Sequence, residues 1–275
     1  MRNIDVTFIS NGYPTIRRPY FTFVDQLVCA LADLGVKCSV IAPQSITHSL
    51  IRREWLNPLY RQRITSAGNS ISVYQPLTIS ISNYKILNFS VNKFFYDSAV
   101  RRTLKKLTLK PSVIYGHFWK PALSAYPYAK KNDISLFVAT GESKIGLKNN
   151  NSYLDGFSKY LKGVICVSSK NKKESLDMKL TTEDKCIVLP NSIDSNKFYK
   201  KDKALLRKKF GYTQEDFIVA FVGGFIHRKG SKRVSDAMAL LNDSEIKSIF
   251  IGDILGDDRH PPDCNGILFK GRVAH

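Results

Sequence analysis

The sequence contains no run of eighteen apolar residues, so it predicts no membrane-spanning helix. Its first apolar stretch, Ile4-Asp5-Val6, is interrupted by an acid and reads as the start of a strand. A secretory signal would need a longer uninterrupted apolar core there, so the cytoplasm is the expected compartment. Cysteine is sparse. Cys29, Cys38, Cys166, Cys186 and Cys264 lie far apart, with no Cys-x-x-Cys pair and no nearby histidine set, which argues against a metal site or a disulfide framework. No metal and no cofactor are expected. Acids are also in short supply, at 23 Asp and Glu against 42 Lys and Arg, for a net charge of +19. The deficit is concentrated: residues 47–110 hold eleven Lys and Arg but only Glu54 and Asp97 as acids. Such a field attracts an anionic partner, whether membrane surface, nucleic acid or phosphorylated substrate, although a solvated basic face is the plainer alternative. There is no internal repeat, and the only polar tract is Asn149-Asn150-Asn151.

What is present is an alternation of short β-branched runs and amphipathic stretches across 275 residues. Strands are predicted at Ile4–Ile9, Val36–Ile41, Ile71–Tyr74, Val113–Tyr115, Ser135–Ala139, Val164–Val167 and Ile187–Leu189. Most are apolar at consecutive positions, as a parallel sheet covered on both faces requires. Between the first two, Phe21–Leu34 places Val24, Leu27, Val28, Leu31 and Leu34 on one helical face, and Gly35 follows as the C′ residue. Strand, helix and strand within about forty residues make a βαβ unit, and hence an α/β doubly wound domain. A second such domain is predicted from Gln214, with strands Asp216–Val222, Lys247–Ile251 and Ile267–Lys270 and a helix over Ser231–Leu241. Residues 195–213, rich in Lys and Asp, read as the connecting segment.

Four segments in register carry a family resemblance. They are Tyr13-Pro14 with Pro19, the helix end Leu31-Ala32-Asp33-Leu34-Gly35 and Val40-Ile41-Ala42-Pro43; Val164-Ile165-Cys166-Val167-Ser168; Val188-Leu189-Pro190-Asn191-Ser192-Ile193-Asp194 with Phe198; and Phe221-Val222-Gly223-Gly224-Phe225-Ile226-His227-Arg228-Lys229-Gly230. Together they resemble the retaining nucleotide-sugar glycosyltransferases of family four, which have the B-type fold of two facing Rossmann-like domains. The resemblance implies an N-terminal acceptor-side domain over 1–194, a linker over 195–213 and a donor-side domain over 214–275 that is incomplete, because the family continues past residue 275 with a Glu-(seven residues)-Glu element gripping sugar and ribose. It implies a nucleotide-sugar donor and, as acceptor, a cell-surface polysaccharide, such as lipopolysaccharide or capsule, or a lipid-linked glycan. A chain lacking that half-site is expected to turn over little or no donor.

The fourth segment also has its own physical rationale. A strand ending in Gly223-Gly224 lets backbone approach a phosphate, and the following helix start offers N–H groups and the positive end of a dipole. Lys229 adds a point charge and Arg228 a second cation. Charge on a leaving diphosphate could be met this way without metal, and no Asp-x-Asp pair stands at a strand end. A plain turn with solvated cations is the alternative. In the first domain the resemblance places Glu142 where the family carries a donor-contacting His. Glu142 could bind sugar hydroxyls or stabilise positive charge at the anomeric carbon, or simply cap the next segment. His117 resembles the family's strand-end histidine, with a satisfied loop histidine as the alternative. Gly12 resembles the glycine beside the donor phosphates, and Pro190-Asn191 reads as a hinge turn. Phe89–Leu107 is predicted helical, with Lys93, Arg101, Arg102, Lys105 and Lys106 as a basic face that docks on an anionic membrane or remains merely wet. Peripheral attachment at the inner face of the cell membrane would follow. A non-catalytic remnant binding a membrane or partner protein is the alternative function. Specific nucleic-acid binding is not expected, since no reading motif accompanies the charge.

Overall fold

The computed structural model describes residues 4–15, 21–51, 53–80, 85–86, 89–147, 152–196, 198–253, 262–263 and 267–271. Cys264, Pro19 and the Asn149–Asn151 tract lie outside them. The chain divides into two compact units, Met1–Ser192 and Ile193–His275.

The first unit opens with β1 (Asp5–Ile9), α1 (Thr22–Asp33), β2 (Lys37–Ile41), β3 (Gln44–Ser45), α2 (Ile46–Ile51), β4 (Tyr60–Ile64) and β5 (Ser70–Tyr74). It continues through β6 (Leu77–Thr78), β7 (Lys85–Ile86), β8 (Phe89–Ser90), α3 (Val91–Lys106), β9 (Val113–His117), α4 (Trp119–Lys131) and β10 (Ser135–Thr140). It closes with α5 (Ser152–Tyr160), β11 (Gly163–Cys166), α6 (Ser169–Asp177) and β12 (Cys186–Val188). Eight strands form one sheet in the order β12-β11-β10-β9-β1-β2-β5-β4. All neighbours run parallel except the antiparallel edge pair β4–β5. Successive residues of the central strands serve opposite faces. Phe8 and Val40 pack with Val24, Val28 and Ala32 of α1, whereas Ile9 and Ile41 join Val100 and Leu104 of α3 and Trp119, Ala122 and Leu123 of α4. Both faces are therefore covered, which is why these strands read as unbroken apolar runs.

Local signals set the helix ends. Gly35 has φ 86° just beyond α1, the left-handed C′ position that glycine adopts without strain. The Ser90 and Ser168 hydroxyls accept from the amides of Lys93 and Asn171 at the starts of α3 and α6. Gly116 serves packing instead: a Cβ there would lie 2.4–2.6 Å from Ala122, so only glycine lets α4 lie this close on β9.

The second unit holds α7 (Lys203–Lys209), β13 (Phe217–Val222), α8 (Ser231–Leu241), β14 (Ile246–Ile251) and β15 (Ile267–Gly271), its strands forming a parallel sheet in the order β13-β14-β15. The segment 195–213, expected as a plain connector, thus carries a helix: Asp202 caps it by accepting from the Leu205 amide, a signal masked by the density of lysines. Phe225 and Phe250 are fully buried and, with Phe221, form an aromatic cluster at 5.6–6.5 Å between ring centroids. Among the described residues no helix is long and apolar enough to cross a membrane.

Candidate functional site

In an open parallel sheet the loops after the strands' C-terminal ends frame the crevice, and here the loops after β1, β2, β5, β9 and β10 do so. The loop after β1 carries Gly12, whose missing side chain leaves room for the Phe21 ring: a Cβ would meet that ring at 2.8 Å. Gly12 and Tyr13 border a cavity of about 360 Å³ that also touches Gln44, His48, Gln75, Thr78 and Tyr96.

The cavity is held open by polar cross-links. The Gln44 amide donates to the carbonyls of Asn57 (2.8 Å) and Gln75 (2.9 Å) and accepts from the Asn57 amide (2.8 Å), joining three loop segments. Tyr96 on α3 donates to the Ser10 carbonyl at 3.0 Å. Tyr13 donates to Asp25 at 2.5 Å, and Arg63 of β4 meets both oxygens of that carboxylate at 3.2 Å. Burial first, and the Asp25 carboxylate second, push the Tyr13 phenol far above its ordinary pKa, so it remains a neutral donor. Arg61 reaches the Pro14 carbonyl at 2.7 Å and lies over the Tyr13 ring, so the edge strand fixes the loop that carries Gly12. By contrast, Gln75 Oε1 and Thr78 Oγ1 are buried and have no hydrogen-bond partner among the described residues. Sequence reasoning missed Gln44, Gln75, Thr78 and Tyr96, which sit in no motif and are collected only by the sheet order.

His117 ends β9, and its ring is surrounded by Phe23 (5.0 Å), Phe118 (4.6 Å) and Tyr115 (6.3 Å). Only 7% exposed, it has its pKa pushed down by burial to about 4, so the imidazole is neutral at neutral pH. Among the described residues its Nδ1 has no hydrogen-bond partner.

Glu142 follows β10 and turns back onto the start of α4. One carboxylate oxygen accepts from the Trp119 amide at 3.0 Å; the other accepts from the Thr140 hydroxyl at 2.7 Å and the Gly141 amide at 3.1 Å. The positive end of α4 thus holds a carboxylate of the protein itself. Of the two roles considered for Glu142, this geometry is that of a cap, on the preceding helix rather than a following one. Asn171 holds the loop from the other side by donating to the Glu142 carbonyl at 2.9 Å.

In the second unit, Gly223 and Gly224 follow β13. The Gly223 amide donates to the Ile251 carbonyl (2.9 Å) and the Phe225 amide to the Asp253 carbonyl (2.8 Å), so these two groups hold the strand ends together. Gly252 is part of the same close approach: a Cβ there would lie 1.8 Å from the Gly223 carbonyl oxygen. His227–Lys229 form a 3-10 turn that ends in Gly230 at φ 82°, the N-cap of α8. Gly230 brings no side chain to cap α8, whose start lies beside the exposed Arg228 and Lys229. Arg233 steadies the turn by donating to the His227 carbonyl at 2.8 Å. The Gly223 amide is thus engaged within the sheet, whereas the start of α8 stands beside the exposed Arg228 and Lys229. Gly12, His117 and Glu142 belong to the first unit, and Gly223, Gly224, Arg228 and Lys229 to the second.

The five basic positions of α3 divide. Lys93 pairs with Asp97 along the helix, whereas Arg101, Arg102 and Lys105 line, with Lys131 of α4, a groove of about 660 Å³. Lys106 lines a second groove, of about 450 Å³, on the other side of Arg102. The apolar residues Ala99, Val100 and Leu104 are buried.

Residues 21–197 match the family model described as Glycosyltransferase Family 4. The chain is 26% identical over 291 residues to TuaC of Bacillus subtilis (strain 168), a glycosyltransferase that its name assigns to teichuronic acid biosynthesis; the match covers 98% of this chain and 70% of TuaC. Among solved structures, sucrose-phosphate synthase from Thermosynechococcus elongatus superposes with a TM-score of 0.63 at 13% identity, over 99% of this chain and 71% of that one. Anabaena HepE in complex with UDP and glucose superposes at 0.57 and 13%, over 99% and 70%. These likenesses show the fold.

Proposed function

The chain belongs to glycosyltransferase family 4, and from that premise we propose that it moves a sugar from a nucleotide-sugar donor to a cell-surface polysaccharide or lipid-linked glycan, with retention and without a metal. The observation that carries the donor half of this reading is the β13–α8 connection, where an uncapped helix start stands next to Arg228 and Lys229. A departing nucleoside diphosphate accumulates negative charge, and fixed cations and amides aimed at it lower the barrier more than they tighten ground-state binding. The polar cavity beside Gly12 supports the acceptor half: its lining of Gln44, His48, Gln75 and Thr78 suits hydroxyl-rich ligands.

His117, neutral and facing aromatic rings, suits hydrogen bonding to a sugar hydroxyl better than charge stabilisation. Glu142 acts as a positioning residue that fixes α4 and the loop after β10. The name of TuaC, which assigns that protein to teichuronic acid biosynthesis, supports a glycan-building role. The basic face of α3, with Lys93, Arg101, Arg102, Lys105 and Lys106, is proposed to rest on the anionic inner surface of the membrane. The test is calorimetric titration of nucleoside diphosphates and their sugar conjugates. Binding that weakens about tenfold or more in Lys229→Ala, at unchanged melting temperature, supports the reading. Absence of binding for every nucleotide tried would overturn it.

A further inference from the structure

Five large apolar side chains lie exposed within ten residues spanning the end of α2 and the loop to β4: Leu50, Ile51, Trp55, Leu56 and Leu59, with Trp55 at 82%. The exposure is imposed by the backbone. The Glu54 amide is tied to the Ser49 carbonyl at 2.8 Å, Asn57 is clamped in both directions by Gln44, and the Leu59 carbonyl accepts from the Gln75 amide at 2.8 Å. Trp55 and Leu56 stand between these anchors. An apolar cluster kept in water by a braced loop marks a contact surface.

Its surroundings indicate the partner. Leu59 and Leu77 share the 450 Å³ groove with Arg102 and Lys106 of α3, and Arg102 also lines the 660 Å³ groove with Arg101, Lys105 and Lys131. Arg53 is exposed within the loop itself. An apolar tip containing tryptophan, bordered by cations, complements the interface of an anionic bilayer, where Trp and Leu enter the headgroup boundary and cations meet phosphate. Glu54 and Asn57 of the same loop border the polar cavity beside Gly12. We propose that the α2–β4 loop inserts Trp55 and Leu56 into an anionic lipid bilayer, setting the cavity at the membrane surface. This deepens the acceptor reading above by specifying an acceptor presented from the membrane.

The sequence holds two tryptophans, and the second, Trp119, is 1% exposed, so Trp55 serves as a built-in reporter. On titration with vesicles of phosphatidylcholine and phosphatidylglycerol, Trp55 emission should shift to the blue and be quenched by brominated acyl chains. Trp55→Ser/Leu56→Ser should weaken vesicle binding about tenfold or more, and Arg102→Glu/Lys106→Glu should do so in a salt-dependent way. Melting temperatures verify that both variants fold. Unchanged emission, binding that survives Trp55→Ser/Leu56→Ser, or equal binding to pure phosphatidylcholine would each overturn the proposal. So would a shift that depends on protein concentration without lipid, which would mark a self-association face. None of these readouts involves turnover, so failure here leaves the sugar-transfer reading standing.

Discussion

Glu142 separates a catalytic carboxylate from a structural one, and the structure permits its removal to be costed. Glu142→Ala deletes three accepted hydrogen bonds at once: Trp119 N–H at 3.0 Å, Gly141 N–H at 3.1 Å and Thr140 Oγ1 at 2.7 Å. Loss of the cap on α4 costs about 1 kcal/mol. Loss of an anion at the helix's positive end adds about 0.5 kcal/mol. The Thr140 hydroxyl, on a buried residue, loses its acceptor as well, adding about 1 kcal/mol more, while the Gly141 amide, on an exposed residue, can turn to water. The sum, about 2.5 kcal/mol, corresponds to a fall in melting temperature of roughly 5–10 °C for a unit of this size. Glu142→Gln keeps one carbonyl oxygen for Trp119 and should lose about 1 kcal/mol. Thermal and urea unfolding of both variants, beside nucleotide titrations that should stay unchanged, provide the assay. If Glu142→Ala melts like wild type while turnover collapses, the cap assignment is wrong and the carboxylate acts on substrate.

The other outcomes follow from single residues. His117 has a folded pKa of about 4 against an ordinary 6.5, so stability is intact above 6.5 and falls as pH drops toward 4, by up to about 3 kcal/mol; His117→Gln should flatten that part of the pH profile. Gly116→Ala drives a Cβ to within 2.4–2.6 Å of Ala122 and should cost about 3 kcal/mol in urea unfolding. Its tolerance would mean that α4 moves freely on β9. For the transfer proposed above, Lys229→Ala should lower turnover by on the order of ten- to a hundredfold at unchanged stability, and an equal loss of stability would make the lysine structural.

The parallel strands were legible because burial on two faces leaves little choice of residue: Phe8 and Ile9, Val40 and Ile41, and Leu136 and Val138 are all buried. The edge strand β4 was not. Tyr60-Arg61-Gln62-Arg63-Ile64 has one covered neighbour and alternates exposed with half-buried positions, so no apolar run announces it. Helix α4 was hidden for the opposite reason. Eight of its thirteen residues are buried, which blurs any amphipathic period, and Pro127 inside it reads as a breaker. The Gly223–Gly230 turn could be located because its parts adjoin in sequence.

The cavity could not be located that way, and the sheet order explains why. From β1 the chain builds outward through β2 and β5, then returns to lay β9 on the other flank of β1 and builds outward again through β10, β11 and β12. The reversal at β1–β9 opens a crevice at their C-terminal ends, where Ile9 pairs with Gly116 and His117 follows next in the chain. Helix α3 is the return crossing, and its Tyr96 bonds the Ser10 carbonyl across 86 residues of sequence. Gln44 makes the matching link on the β2 side, 31 residues from Gln75. The crevice is therefore written in the topology, and its polar lining becomes visible only once the return crossing has been placed.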